Sequence, residues 1–131
     1  MEPLIIQATR SSPFVLFDPG NQRFEVKGHS YPENAALFYK PVLDWLEEYF
    51  KTASLRCSFE FYLIYLNTSS SKFLMAILDF LEHQYLNGKQ LEINWYYDKD
   101  NEIARECGDF FKEDRKLPFN LIENNDNRIT L

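Results

Sequence analysis

The stretch that most constrains this chain runs from Phe59 to Phe73, where an aromatic and aliphatic run stops at Asn67 and Thr68, Ser69, Ser70 and Ser71 follow in succession. Before the stop, side chains alternate. Cys57, Phe59, Phe61, Leu63 and Tyr65 share one face, while the other begins polar at Ser58 and Glu60 and turns apolar at Ile64 and Leu66. After it, Phe73, Leu74, Ile77, Leu78, Leu81 and Tyr85 recur at helical spacing up to an Asn87-Gly88 stop. The pattern predicts a buried strand, a polar turn, and a helix from about Ser70 to Tyr85. Such a turn lies at the carboxyl end of a strand, where open α/β sheets gather their working residues. A helix start needs one capping side chain. Ser69 and Ser70 suit that task, which leaves Thr68 as the hydroxyl free for another.

The flanking segments extend the same logic. Phe14–Phe17 is a short apolar run and Arg23–Lys27 an alternating one, joined by Asp18-Pro19-Gly20-Asn21, which predicts a β-hairpin ending at Gly28. Ser30-Tyr31-Pro32-Glu33 reads as a capping box. The helix behind it places Phe38, Val42, Trp45, Leu46 and Tyr49 on one face, with a kink or break expected at Pro41. Leu91–Tyr97 is a further strand, and Asp98 or Asp100 is expected to cap a third helix containing Ile103, Cys107 and Phe110. Leu117–Ile122 closes the pattern as an edge or entry strand bearing Pro118. Residues 1–12 show little pattern. The order ββαβαβαβ implies mostly parallel pairing through right-handed crossovers after an antiparallel opening. The expectation is one α/β domain, bordering on α+β, over residues 1–123. It carries a mixed four- or five-stranded sheet, three main helices packed against it, and a polar, flexible tail over residues 124–131. The carboxyl ends of the strands then form a rim of residues 28–33, 67–71 and 98–101.

Composition excludes several functions. With a net charge of -6 the chain has no basic patch to neutralise a phosphate backbone, so nucleic acid is not an expected partner. No segment offers the ~20 apolar residues of a membrane span. No basic-then-apolar leader opens the chain, so the expected location is the cytoplasm. Cys57 and Cys107 fall on apolar sides of their elements and read as buried free thiols. His29 and His83 are isolated, and no metal or other cofactor is expected. The 12 Phe and 8 Tyr point to a core built from rings.

Three chemical readings of the hydroxyl turn compete. Ser69-x-x-Lys72 has the spacing of a Ser/Lys nucleophile pair, so a small hydrolase using Ser69 or Ser70 with Lys72 is one, although the companion motifs of such enzymes are absent. A P-loop is excluded because the turn lacks glycine. An unregulated binding domain, in which the hydroxyls only cap and solvate, is the second. The third is a phosphorylation switch. A phosphate at a helix N-terminus is compatible with the helix dipole and free amides, and adds nearly two negative charges without unfolding the domain.

Several strings resemble one family. Ser30-Tyr-Pro-Glu-Asn34, with Phe38-Tyr39 and Trp45 behind it, Tyr65-Leu-Asn-Thr-Ser-Ser70 and Trp95-Tyr-Tyr-Asp98 are similar to the SiaC-family regulatory phosphoproteins, as is Ser12-Pro13 before a strand ending in Phe17-Asp18. The resemblance spans about residues 9–122, and the element order also resembles the anti-sigma-factor-antagonist (STAS) fold. It implies a bacterial, non-catalytic protein. It further implies phosphorylation of Thr68 by a serine/threonine kinase, reversal by a PP2C-type phosphatase, and binding of the unphosphorylated form to an effector. That effector is expected to be a diguanylate cyclase whose activation raises cyclic di-GMP and favours biofilm growth. Tyr31, Glu33, Asn34, Asn67, Thr68, Ser70 and Asp98 are then the expected partner-binding residues.

Overall fold

The aromatic alternation of the strands is the reason they assemble as they do. In the computed structural model, which describes residues 1–53 and 55–125 of the chain, β1 (Leu4–Ile6), β2 (Phe14–Asp18), β3 (Arg23–Ser30), β4 (Cys57–Leu66), β5 (Leu91–Asp98) and β6 (Phe119–Asn124) form one sheet in sequence order. The β1–β2 and β2–β3 pairs are antiparallel, whereas β3, β4, β5 and β6 run parallel. The helices are α1 (Ala35–Phe50), α2 (Thr68–Leu86) and α3 (Glu102–Lys112). The α/β class, the opening hairpin, the parallel crossovers and the three helices are as the sequence implies.

Register decides which side chains meet. Phe24 lies beside Phe59, Phe59 beside Ile93 and Ile93 beside Phe119, so one face is a continuous apolar floor. Trp45, Tyr49 and Phe50 of α1 pack onto Phe17, Phe24 and Phe59. Leu74, Ile77, Leu78 and Leu81 of α2 complete the same core. α3 covers Trp95 with Phe111, and the Trp95 indole N–H donates to the Ala104 carbonyl at 3.0 Å. All three helices therefore sit on one face. Neighbouring residues Glu25, Glu60, Asn94 and Asn120 form the other, which no helix among the described residues covers. Polar side chains pair across it instead: Arg23 and Lys27 with Glu25 along β3, and, between strands, Arg56 with Glu92 and Asn120 with both Glu92 and Asn94.

Several expectations need correction. The sheet has six strands because Leu4–Ile6 pairs with β2. Three residues are too few to show a period. β3 does not stop at Gly28. It passes through an irregularity between Gly28 (φ 127°) and His29 and ends at Ser30, a backbone that glycine alone tolerates without strain. Ser30 is therefore a strand residue and caps nothing; Asn34 caps α1, its Oδ1 accepting from the Leu37 amide at 3.0 Å. α1 runs through Pro41 without a break, with Pro41 and Leu37 both exposed. There water can serve the carbonyl that proline leaves without its donor. Asn101, and neither Asp98 nor Asp100, caps α3. The last strand begins after Pro118 and extends to Asn124, which is 6% exposed and belongs to the sheet rather than to a tail. Of the expected tail, residues 126–131 lie outside the described residues.

Gly108 shows how tightly α3 is seated. A Cβ there would lie 2.5 Å from Leu121 Cδ2 and 2.6 Å from Trp95 Cδ1. Helix propensity alone favours Ala over Gly by ~1 kcal/mol, whereas overpacking a fixed core costs ~1–3 kcal/mol or more. The Trp95 ring is fully buried and hydrogen-bonded, so the clash wins. Gly108→Ala is expected to lower Tm in thermal denaturation; an unchanged or raised Tm would contradict this packing.

Candidate functional site

The rim is built by three asparagines that repeat one device. Each parallel strand β3, β4 and β5 runs into a polar turn, and Asn34, Asn67 and Asn101 cap the helices that follow. Asn67 Oδ1 accepts from the Ser70 amide at 2.8 Å, and its own amide donates to the Ser30 carbonyl at 3.0 Å. Asn101 Nδ2 donates to the Ile64 carbonyl at 3.1 Å, tying the start of α3 to the end of β4. The three helix starts thus lie along one sheet edge.

The hydroxyls divide into two kinds. Ser70 is fully buried, and its Oγ accepts from Ser30 Oγ at 2.8 Å; Ser30, equally buried, shares a 2.5 Å hydrogen bond with Tyr39 Oη. This cluster joins β3, α1 and α2. Burial pushes the Tyr39 phenol above its ordinary pKa, against the opposing pull of the two serine hydroxyls, so it is a neutral, donating group. Thr68 and Ser69 are exposed, and Thr68 is the first residue of α2. With Asn67 serving the Ser70 amide, the first amides of the helix have no intrahelical acceptor. Thr68 therefore offers a solvent-facing hydroxyl beside free backbone donors, a position that suits an attached anion.

The expected partner-binding residues fare unequally. Glu33 and Asn34 are exposed, and Tyr31 is 37% exposed beside Tyr65, ring centroids 5.8 Å apart. Tyr65, expected on the buried face, is 49% exposed at the rim. Asn67 is half-buried, and its side-chain oxygen is committed to the cap. Ser70 is wholly inside and offers a partner nothing. Asp98 Oδ1 accepts from Tyr62 Oη at 2.5 Å and from Asn124 Nδ2 at 2.9 Å, so it fastens β4 to β5 and β6. Burial and the neighbouring Asp98 carboxylate push the Tyr62 phenol up to about 12.

Capping does not fall to the expected serines. Asn67 caps α2 in place of Ser69 or Ser70, and the Ser70 hydroxyl is held by Ser30 rather than by a base. Sequence reasoning missed the Ser30–Tyr39–Ser70 cluster, whose members lie as far as 40 residues apart. It also missed an open groove of about 1000 Å³ between the starts of α1 and α2, lined by Pro32, Leu37, Phe38, Ser69 and Phe73 among others. Leu37, an apolar residue lying off the Phe38, Val42, Trp45, Leu46 and Tyr49 stripe, was the available signal.

Together these features define a class: a small α/β domain with its helices on one face of the sheet and their starts in a row along one end of it. Comparison with known proteins narrows it. Residues 6–124 match the family described as SiaC family regulatory phosphoprotein. An uncharacterized protein of Pseudomonas aeruginosa (strain UCBPP-PA14) is 37% identical over 119 residues, covering 91% of this chain and 94% of its own. A structure of SiaC from Pseudomonas aeruginosa superposes with a TM-score of 0.88 at 34% identity, covering 95% of this chain and 100% of that one. So does a Pseudomonas aeruginosa structure of the diguanylate cyclase SiaD in complex with its activator SiaC, with TM-score 0.88, 36% identity, and 92% and 99% of the two chains covered. The chain belongs to the SiaC family of regulatory phosphoproteins.

The division of hydroxyls has a measurable consequence. Ser70→Ala strips Ser30 of a buried partner, which costs ~1–3 kcal/mol, whereas Thr68→Ala changes an exposed side chain and is expected to stay within ~0.5 kcal/mol. Denaturant unfolding of the two variants checks the order; equal losses would contradict the assignment.

Proposed function

We propose that this protein is a non-catalytic cytoplasmic switch that binds and activates a diguanylate cyclase, raising cyclic di-GMP and favouring biofilm growth, until phosphorylation of Thr68 ends the contact. A serine/threonine kinase installs the phosphate and a PP2C-type phosphatase removes it. The observation that carries the reading is local. Of the hydroxyls in the turn, Thr68 stands at the first position of α2, exposed and outside the buried cluster. The complex of the related SiaC with the cyclase SiaD supports the choice of effector. Among the described residues no helix is long and apolar enough to cross a membrane, which suits a partner reached by diffusion.

The physical logic is that the modification is cheap for the fold and costly for the interface. The helix dipole and the free first-turn amides accept a phosphate without rearrangement. Against a partner surface that contact has dehydrated, the same phosphate adds nearly two charges that must be desolvated. Glu33, Asn34 and Tyr31 on the adjoining turn supply the rest of the contact, with Tyr31 as an amphipathic anchor.

Cyclic di-GMP synthesis by the host's cyclase, measured with and without this protein, tests the reading. Wild type and Thr68→Ala are expected to stimulate the cyclase equally. Thr68→Glu is expected to bind at least ~10-fold more weakly, about 1.4 kcal/mol. Absence of stimulation by wild type, or undiminished stimulation by kinase-treated protein carrying phosphate on Thr68, would overturn it.

A further inference from the structure

The helix-free face of the sheet carries a feature that the switch does not use. Glu25 and Glu60 are register partners on β3 and β4. Their backbones lie one strand spacing apart, ~4.8 Å, and like charges placed side by side on a sheet repel. Arg23 Nε and Lys27 Nζ each stand 2.9 Å from one Glu25 oxygen. Glu60 enters no ion pair among the described residues, and its Oε2 is enclosed without a hydrogen-bond partner. Glu25 Oε1 is enclosed as well: the residue is 8% exposed, and Lys27 approaches that oxygen outside hydrogen-bond geometry. Buried polar oxygens are ordinarily satisfied, since an unmade bond leaves the desolvation cost standing. Here two unsatisfied ones line the same cavity of about 240 Å³, whose wall Lys27, Tyr62 and Tyr96 complete.

The chemistry of that wall defines its occupant. Acceptors without donors call for N–H groups, and an unpaired carboxylate calls for positive charge. Among the described residues no group of three or more His, Cys, Asp or Glu side chains is placed to hold a metal ion, so the cation is an organic one. An ammonium is a poor match: that of Lys27 already brings charge to Glu25 and still leaves Oε1 without a hydrogen bond. A guanidinium is planar, carries N–H donors along more than one edge, and lies flat against aromatic rings. It can therefore serve two carboxylates at once. Two rings are present for it. Tyr62 is fixed by its bond to Asp98, and burial, then the Glu60 carboxylate, push the Tyr96 phenol above its ordinary pKa, so that ring stays neutral. We infer that the cavity binds a guanidinium group between Glu60 and Glu25, against the tyrosine rings. Its volume is below that of drug-sized pockets and suits a group the size of one side chain.

Amide and tyrosine-ring NMR of the full chain tests this, with ethylguanidinium chloride and ethylammonium chloride titrated at matched ionic strength. The guanidinium is expected to give saturable shifts confined to the strands around Glu25, Glu60 and Tyr96, and the ammonium to bind at least ~10-fold more weakly. Glu60→Gln keeps the shape of the side chain and removes the unpaired charge. It is expected to hold or raise Tm and to weaken guanidinium binding at least ~10-fold. An arginine residue blocked at both ends, titrated in parallel, separates the two sources of the group. Binding as tight as that of ethylguanidinium assigns the cavity to an arginine side chain of a protein, and its rejection while ethylguanidinium still binds assigns it to a free small molecule; either upholds the inference. Shifts that never saturate, equal binding of the ammonium, or undiminished binding by Glu60→Gln would overturn it.

Discussion

The junction of Ser30, Tyr39 and Ser70 is the interaction on which the working edge depends. Three hydroxyls inside a dry interior are expensive unless each finds a partner. Here one chain of hydrogen bonds, at 2.5 and 2.8 Å, links the last residue of β3, the second turn of α1 and the first turn of α2. The Asn67 amide adds a backbone bond to Ser30 on the same seam. Position along α2 then determines everything at its start. Ser70 faces inward and is structural, while Thr68, two residues earlier, faces out.

Around that seam the domain is an aromatic layer between a sheet and three helices. Phe17, Phe24, Phe59, Trp45 and Tyr49 contact one another at centroid distances of 4.9 to 6.4 Å, and ring packing of this kind is directional as well as hydrophobic. Parallel ladders are ordinarily covered on both faces. This one stands open because its second face is roofed by its own polar side chains, with Glu25 and Tyr62 buried at 8% and 5% exposure. The helices are thus all on one side, and their starts align on one edge.

Local chemistry was legible in the sequence and distant chemistry was not. The strand–turn–helix at Phe59–Phe73, the β2–β3 hairpin and the Gly88 stop each follow from patterns within a few residues. Caps were misassigned because Ser30, Asp98, Asp100 and Ser69 compete chemically with the asparagines that do the capping, and only backbone position separates them. The role of Ser30 needed Ser70, 40 residues away. The open face did leave a trace, since Glu25, Glu60, Glu92 and Asn94 alternate with the core rings in three successive strands. Thr68 stood out through its place in the turn together with the family resemblance; the structure shows it exposed at the first position of α2.

The central physical claim is that a phosphate on Thr68 changes what the rim can bind and leaves the fold as it is. Amide nitrogen–proton NMR spectra of the chain with phosphothreonine installed at residue 68, set against the unmodified protein, test it most directly. The expected result is chemical-shift change confined to Asn67–Lys72 and the facing groove around Glu33–Phe38, with β5, α3 and the aromatic core unmoved. Changes spreading through the core strands, or loss of the α2 start, would show that the phosphate acts by rearranging the domain and would contradict the account.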